Sequence, residues 1–437
     1  MTITYDPTDP KYFDEPDLRS EMNRVYDLCH GCRVCFNLCT SFPTMFAYVD
    51  EKPDQQAHLM TAAEQDQVVD ECFQCKLCDV KCPYTPGQGH EWQFDFPRLM
   101  LRAAAVRKKQ NGRKVVDHVF GRTDLAGRVG SLTAPLANAA MAKPGSPVRK
   151  VLAKTLGISS QRLLPPYAKT RFSTWFKRRN LPAISAPQGK VALFPTCLVE
   201  YQSPQIGKDL VGVYEHNGVS CSLPAGMGCC GAPWLHSGDF DRFREQARPN
   251  ITPLAQAIRS GADIVVPQPT CGYVLKRDYA AYFKGEPQQK DAELIGAHTY
   301  DAAEYLIRVH KAEGTSLDTN FPGPVPATTT YHVACHLQAQ SIGLKSRDLM
   351  KLTGTKITLV NKCSGIDGTW GYREDNYEIA KKIAKPLGEA IVRAASEVVT
   401  GDCHLANGAI IEETGTVPMH PLSFMARAYG IAHEGVQ

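Results

Sequence analysis

CHGCRVCFNLC runs from Cys29 to Cys39, and CFQCKLCDVKC from Cys72 to Cys82. Both follow C-x2-C-x2-C-x3-C; Pro83 follows the second copy and Thr40 the first. This is the spacing with which bacterial ferredoxins hold [4Fe–4S] clusters. Three thiolates two residues apart wrap one corner of a cube, and the fourth reaches the other cube. The reading is therefore crossed. Cys29, Cys32, Cys35 and Cys82 form one set, and Cys72, Cys75, Cys78 and Cys39 form the other. Structural zinc, the competing reading, takes C-x2-C pairs or Cys/His mixtures rather than a triplet plus a fourth. Helical stretches such as EQDQVVDECFQC lie between or within the motifs, so an α-helical ferredoxin-type domain is expected over residues 1–97.

The chain has 437 residues, 16 of them cysteine, with 43% apolar and 22% charged residues. MTITYDPTDPKYFDEPD lacks the basic and apolar regions of a secretory signal. No stretch approaches the ~20 apolar residues of a membrane span. A cytoplasmic setting is expected, where disulfides are disfavoured and cysteines point to metal or redox chemistry. No G-x-G-x-x-G fingerprint is present, so the sequence shows no flavin or nucleotide signature of its own.

Net charge is +4, unevenly spread: residues 98–182 hold 19 Lys and Arg against Asp117 and Asp124. RAAAVRKKQNGRK and KTRFSTWFKRRN mix basic with apolar and aromatic residues. A basic helical linker over 98–188 is expected, with contact to an anionic membrane surface preferred over docking to an acidic partner. No nucleic-acid fold signature accompanies it, and no nucleic-acid partner is expected.

From residue 189, β-rich runs such as KVALFP and ADIVVPQ alternate with helical stretches, which argues for βα units and a mostly parallel sheet. The region also repeats itself. FPTCLVEYQSPQIGKDL resembles YHVACHLQAQSIGLKSRDL, MGCCGAPW resembles NKCSGIDG, and ADIVVPQPTCGYVL resembles SEVVTGDCHLANGAI. Two α/β lobes are expected, at 189–310 and 325–437. The fold class is thus α+β multidomain, a helical two-cluster domain followed by a duplicated α/β unit.

Cys197, Cys229, Cys230 and Cys271 fall in the first lobe and Cys335, Cys363 and Cys403 in the second, while Cys221 stands apart. The order Cys…Cys-Cys-Gly…Cys resembles the CCG domain of heterodisulfide reductase B subunits and their relatives. The whole chain, to its ending HPLSFMARAYG, is most similar to the C subunits of anaerobic glycerol-3-phosphate dehydrogenases. A full CCG repeat in that superfamily carries five cysteines ending in C-x2-C. Here Gln268 replaces the start of the terminal pair in lobe one. In lobe two, Ser364 breaks the Cys-Cys-Gly, and Ala406 stands where a second terminal cysteine would be.

Four thiols in lobe one are expected to hold a third iron–sulfur cluster. Three thiols in lobe two, with His336 beside Cys335, are a weaker metal candidate. His332, His404 and His420 rank below it, and Cys221, Trp370 and Tyr372 read as packing. Gly231 and Gly365 mark close backbone approach to a cofactor or a sharp turn. The resemblance implies an iron–sulfur subunit passing electrons from a flavoprotein dehydrogenase toward membrane quinone, peripheral on the inner face of the membrane, rather than a self-contained enzyme. The alternatives are a reductase cleaving a disulfide or other small oxidant at the CCG lobes, and an iron–sulfur subunit of glycolate or lactate oxidation.

Overall fold

The computed structural model describes residues 5–180, 188–366 and 368–431. The N-terminal region is mostly helical: α1 (Glu15–Cys32), α2 (Ser41–Asp50), α3 (Ala62–Asp70), α4 (Leu77–Lys81) and α5 (Phe96–Asn111). Local chemistry sets their starts. Asp14 caps α1 by accepting from the Asp17 N–H, and Thr61 with Glu64 forms a capping box on α3. Their apolar faces meet in a core containing Leu18, Met22, Tyr26, Phe42, Phe46 and Phe96.

Helix α5 is buried on two sides. Leu99, Met100 and Val106 enter the ferredoxin-type core, while Leu101 and Ala105 enter the core of the first α/β lobe. The first part of RAAAVRKKQNGRK, Arg102 to Val106, is therefore packed inside, while Lys109 to Lys114 is exposed, which corrects the expectation for the first part only. The following helices are α6 (Val115–Gly121), α7 (Thr123–Leu132), α8 (Ala134–Met141), α9 (Pro147–Leu156) and α10 (Phe172–Arg178). The expectation also fails for KTRFSTWFKRRN. Phe172 is buried, and Trp175 and Phe176 pack against the apolar core of the lobes.

Part of the positive charge is structural. Arg102, Arg149 and Arg162 are fully buried. Arg102 donates to the carbonyls of Lys11 and Tyr12 and pairs with Asp17, and Arg149 donates to the carbonyls of Met141, Ser159 and Arg162. Arg162 donates to the Gly371 carbonyl and pairs with Glu412 at 2.6 Å, tying the middle segment to the second lobe. Guanidinium suits this work because its five donors are fixed in one plane.

The rest is α/β with parallel sheets. β1 (Gly189–Leu193), β2 (Val219–Ser222), β3 (Asp263–Val266) and β4 (Thr299–Asp301) form one sheet in the order β2-β1-β3-β4. β5 (Thr328–His332), β6 (Lys356–Val360) and β7 (Val398–Gly401) form another in the order β6-β5-β7. All pairs are parallel, with Val191 opposite both Cys221 and Asp263, and Thr330 opposite Thr358 and Val399. The second sheet reproduces the β2-β1-β3 part of the first. Residues from both lobes, among them Leu193, Leu210, Tyr331, Leu337 and Phe424, share one apolar core.

Candidate metal centres

In parallel sheets, sites form beyond the carboxyl ends of the strands, where the strand order reverses. The lobe cysteines obey this rule. Cys197 follows β1, Cys229 and Cys230 follow β2, and Cys271 follows β3. Cys335, Cys363 and Cys403 follow β5, β6 and β7 in the same way. Sequence order alone therefore delivers the thiols of each lobe to one end of its sheet.

The first motif surrounds one cavity, lined by Cys29, Cys32, Cys35, Cys78 and Cys82 with Phe42, Phe46 and Phe96. Cys39, Cys72, Cys75 and Cys78 line a second cavity with Phe73 and Phe96. The two loops share a device. The residue after the second cysteine, Arg33 or Lys76, is basic and left-handed in both copies, at φ 52° and 65°. Arg33 is exposed and pairs with Asp50; Lys76 is buried, and its ammonium donates to Gln74 Oε1 at 2.6 Å. Donors already point at sulfur: Tyr84 N–H to Cys82 at 3.4 Å and Gln74 Nε2 to Cys72 at 3.5 Å.

Burial and neighbouring thiols push the Cys29 and Cys78 thiols well up, and Cys35 to about 12. Buried thiols of this kind ionise only beside a cation, which a bound cluster would supply. The donor set, its apolar shell and the N–H···S contacts fit [4Fe–4S] groups. Among the described residues, no three or more Cys, His, Asp or Glu side chains converge on a single-ion position. The thiols stand round cavities instead.

In lobe one the four thiols line one cavity and are linked by pairwise contacts. Cys230 Sγ lies 3.3 Å from Cys271 Sγ. Cys229 accepts from Cys197 and Cys230, which holds its thiol well below the usual range and pushes theirs up. Thr196, just before Cys197, is a β-branched residue at φ 67°, the kind of backbone outlier found at functional sites. The middle segment closes over this set. α7 packs on the helix Thr196–Tyr201 and α6 on the helix Ala232–His236. Asp124 accepts from the Cys229 N–H at 2.9 Å and from Gln246 at 2.7 Å. The sequence reading missed Asp124, although an acid among so many basic residues was a signal.

In lobe two, Cys335, Cys363 and Cys403 line a smaller cavity with His332 and His336. His336 lies 3.8 Å from Cys335 Sγ and 3.2 Å from Thr270 Oγ1 of lobe one. Burial, then the Lys76 charge, lowers His336 to about 3, so its ring is neutral near pH 7. His404 and His420 are lowered to about 4, mainly by burial. Cys221 lies in the apolar core, away from both sets, with Val219 O as its partner.

The two glycines play matching parts. Gly231 N–H donates to Cys229 Sγ, and Gly365 N–H to Cys363 Sγ, both at 3.4 Å. Their φ values are 92° and 67°. A Cβ at Gly231 would meet the Phe243 ring at 2.7 Å, and one at Gly365 would meet Ala380 O at 2.3 Å.

Contacts between the helical domain and the lobes also escaped the sequence reading. α4 packs on the helix Cys335–Ala339. Trp370 is not only packing: its ring lies 5.2 Å from that of Phe73, and its N–H donates to Asp70 O at 2.8 Å. The loop of the second motif thus faces the lobes.

Residues 28–85 match the 4Fe-4S dicluster domain, which implies two [4Fe–4S] clusters, and residues 191–276 match the cysteine-rich domain CCG. The C subunit of anaerobic glycerol-3-phosphate dehydrogenase from Escherichia coli K12 is 28% identical over 405 residues, covering 83% of this chain and 99% of that protein. Lactate utilization protein A of Exiguobacterium is 27% identical over 257 residues, 56% of this chain and 98% of its own. Its counterpart in Geobacillus thermodenitrificans is 30% identical over 193 residues, 42% of this chain and 75% of its own. With its dicluster motifs in a helical domain and its cysteines at the strand ends of parallel sheets, the chain belongs to the CCG-domain iron–sulfur proteins related to the C subunit of anaerobic glycerol-3-phosphate dehydrogenase.

Proposed function

We propose that this chain is the electron-transfer subunit of a quinone-linked flavoprotein dehydrogenase of the glycerol-3-phosphate type. The observation that carries this reading is the ordering of thiol sites from an exposed edge to a closed interior. Cys32 is exposed, beside the exposed apolar side chains Val34 and Phe36, a face suited to a partner dehydrogenase. The Cys72–Cys78 loop faces the lobes through Phe73 and Trp370, and the lobe-one thiols lie behind the middle segment. When bound, the clusters supply one-electron redox steps. The chain's residues fix the thiolates, exclude water with aromatic rings and supply N–H donors to sulfur.

The crossed assignment is kept: Cys29, Cys32, Cys35 and Cys82 hold one cluster, and Cys72, Cys75, Cys78 and Cys39 the other. Cys197, Cys229, Cys230 and Cys271 hold a third iron–sulfur group. Lobe two is a degenerate copy of the CCG repeat, whose three thiols and His336 offer a mixed sulfur–nitrogen donor set.

The membrane is met by α7 to α9, not by the aromatic stretch around Phe172. α7 is inverted for a helix in water. Gly127 and Gly130 face inward, where any Cβ would strike the Tyr201 and Tyr167 rings, while Leu125, Val129 and Leu132 face out. Leu132 is 86% exposed and Leu136 on α8 77%, with Val148 and Val151 of α9 also exposed. Arg122, Arg128, Lys143, Lys150 and Lys154 are exposed on these helices and the turns joining them. Asp117 and Asp124 turn inward, onto Arg373 and the Cys229 N–H. An apolar ridge ringed by cations fits an anionic bilayer surface, at about 1 kcal/mol per basic residue near it. No described helix is long and apolar enough to cross a membrane.

The test has two arms. Reconstituted chain reduced by dithionite is mixed anaerobically with menadione, and rapid recovery of the visible absorbance is expected. Flotation with phosphatidylglycerol-containing vesicles is expected for the wild type and lost in Leu132→Asp plus Leu136→Asp. A chain that menadione does not re-oxidise contradicts the reading.

A further inference from the structure

Behind the inverted helix lies a cavity of about 250 Å³. Its floor is Cys197, Cys229, Cys230 and Cys271. Val119, Phe120, Ala126, Met141, Ile158 and Leu164 form much of its wall, and Tyr372 and Leu405 close it from lobe two. α7 is the partition: Thr123, Ala126 and Gly127 line the cavity, while Leu125, Val129 and Leu132 form the outer ridge. One helix thickness separates the lobe-one thiols' cavity from the apolar surface.

The cavity is apolar with a few exceptions, and four of these have unsatisfied atoms, the Thr123 hydroxyl beside Cys229 among them. The Tyr372 hydroxyl, His236 Nε2 and Gln202 Oε1 are buried polar atoms without a hydrogen-bond partner, and all three residues line the cavity. Tyr372 is 5% exposed. Leaving such an atom unpaired costs about 1–3 kcal/mol, so four in one apolar cavity mark where the polar atoms of a bound ligand would pair. An apolar pocket with few convergent polar groups is the usual form of a small-molecule site; the third cluster would take the thiol floor, and a second ligand the space along the apolar wall.

We infer that this cavity binds the head group of a quinone, with the ring against the apolar wall, its oxygens toward Tyr372 and His236, and its tail passing the α7–α8 ridge into lipid. The inference rests on the quinone-linked reading above and adds the site. Conversion of the bound quinone to its hydroquinone takes two electrons, which come from the dehydrogenase's substrate, and two protons from water. Tyr372 and Gln202 position the ring. The third cluster's thiols then lie on the same cavity as the acceptor, which explains why the middle segment closes over lobe one.

The test is photolabelling of the full, reconstituted chain with an azido-naphthoquinone, with menadione as competitor, beside the double variant Tyr372→Phe plus Gln202→Leu. The variant removes a hydroxyl and an amide that bond nothing in the protein, so its thermal midpoint is expected to hold or rise, while apparent affinity falls about tenfold. Label is expected within residues 119–141 or 196–202, and menadione is expected to block it. Saturable label elsewhere, or an unchanged affinity in the variant, overturns the site but leaves oxidation of the chain by quinone intact. Re-oxidation by menadione without any saturable label does the same. No re-oxidation and no label overturns both the site and the reading it rests on.

Discussion

Gln268 Nε2 donates to Cys403 Sγ at 3.2 Å, and Gln268 Oε1 accepts from the His404 N–H at 3.3 Å. The residue that stands in place of a repeat cysteine therefore ties lobe one to the last cysteine of lobe two. Gln268 is buried, so its amide has little water to turn to. Gln268→Leu is expected to destabilise the protein by about 1–3 kcal/mol, because the His404 N–H loses its acceptor. Urea denaturation checks this, and an unchanged midpoint contradicts the bridge.

Gly231 and Gly365 should not tolerate alanine. Both combine a left-handed φ with a blocked Cβ position. Gly231→Ala is expected to cost about 1–3 kcal/mol in strain. Gly365→Ala is expected to cost more, because the obstacle is the Ala380 carbonyl rather than a ring that can tilt. Thermal melts of the two variants give the order directly.

Trp370 holds the helical domain against lobe two. Trp370→Phe removes the N–H bond to Asp70 O and should cost about 1 kcal/mol; Trp370→Ala also removes the contact with Phe73 and should cost more. Limited proteolysis should cut Trp370→Ala near residues 70–76 faster than the wild type. Equal cutting rates would mean that this contact does not hold the domain in place.

A buried carboxyl sets a pH slope. Burial, then the Asp402 charge, raises Asp301 to about 7, against about 3.9 in an unfolded chain. The folded state therefore binds the proton more tightly, and the stability this group contributes is full below pH ~4 and lost as pH rises to about 7. Asp301→Asn keeps an N-cap for the helix Ala302–Lys311 and removes the titration. The variant's melting temperature should lack the part of the decline between pH 4 and 7 that Asp301 causes.

Much of the site was legible because it is local. Doubled C-x2-C-x2-C-x3-C spacing marks the thiols that line the two cavities of the helical region, and the alternation of KVALFP-like runs with helices shows the parallel sheets. What was not legible is long-range. Nothing in FPRLMLRAAAVRKKQN says that Leu99 and Leu101 enter two different cores, because both faces of α5 are apolar enough to be buried. KTRFSTWFKRRN misled because aromatic residues with flanking charge look alike on a membrane and against a core. The inverted pattern of α7 was available as GRTDLAGRVGSL, glycines on one face and leucines on another, but which face is outward depends on Tyr201 and Tyr167 far along the chain. Gln268 looked like a lost ligand until its partner in the other lobe was known.

The measurement that tests the account most directly is iron and acid-labile sulfide per anaerobically reconstituted chain, with electron paramagnetic resonance, for the wild type and for Cys229→Ser plus Cys230→Ser. The account predicts about twelve irons, about eight from the N-terminal thiols and about four lost in the double variant, with the spectrum of the reduced N-terminal clusters unchanged. A wild type holding no more than about four irons would contradict the two-cluster relay. About eight irons in both proteins would remove the third cluster from lobe one.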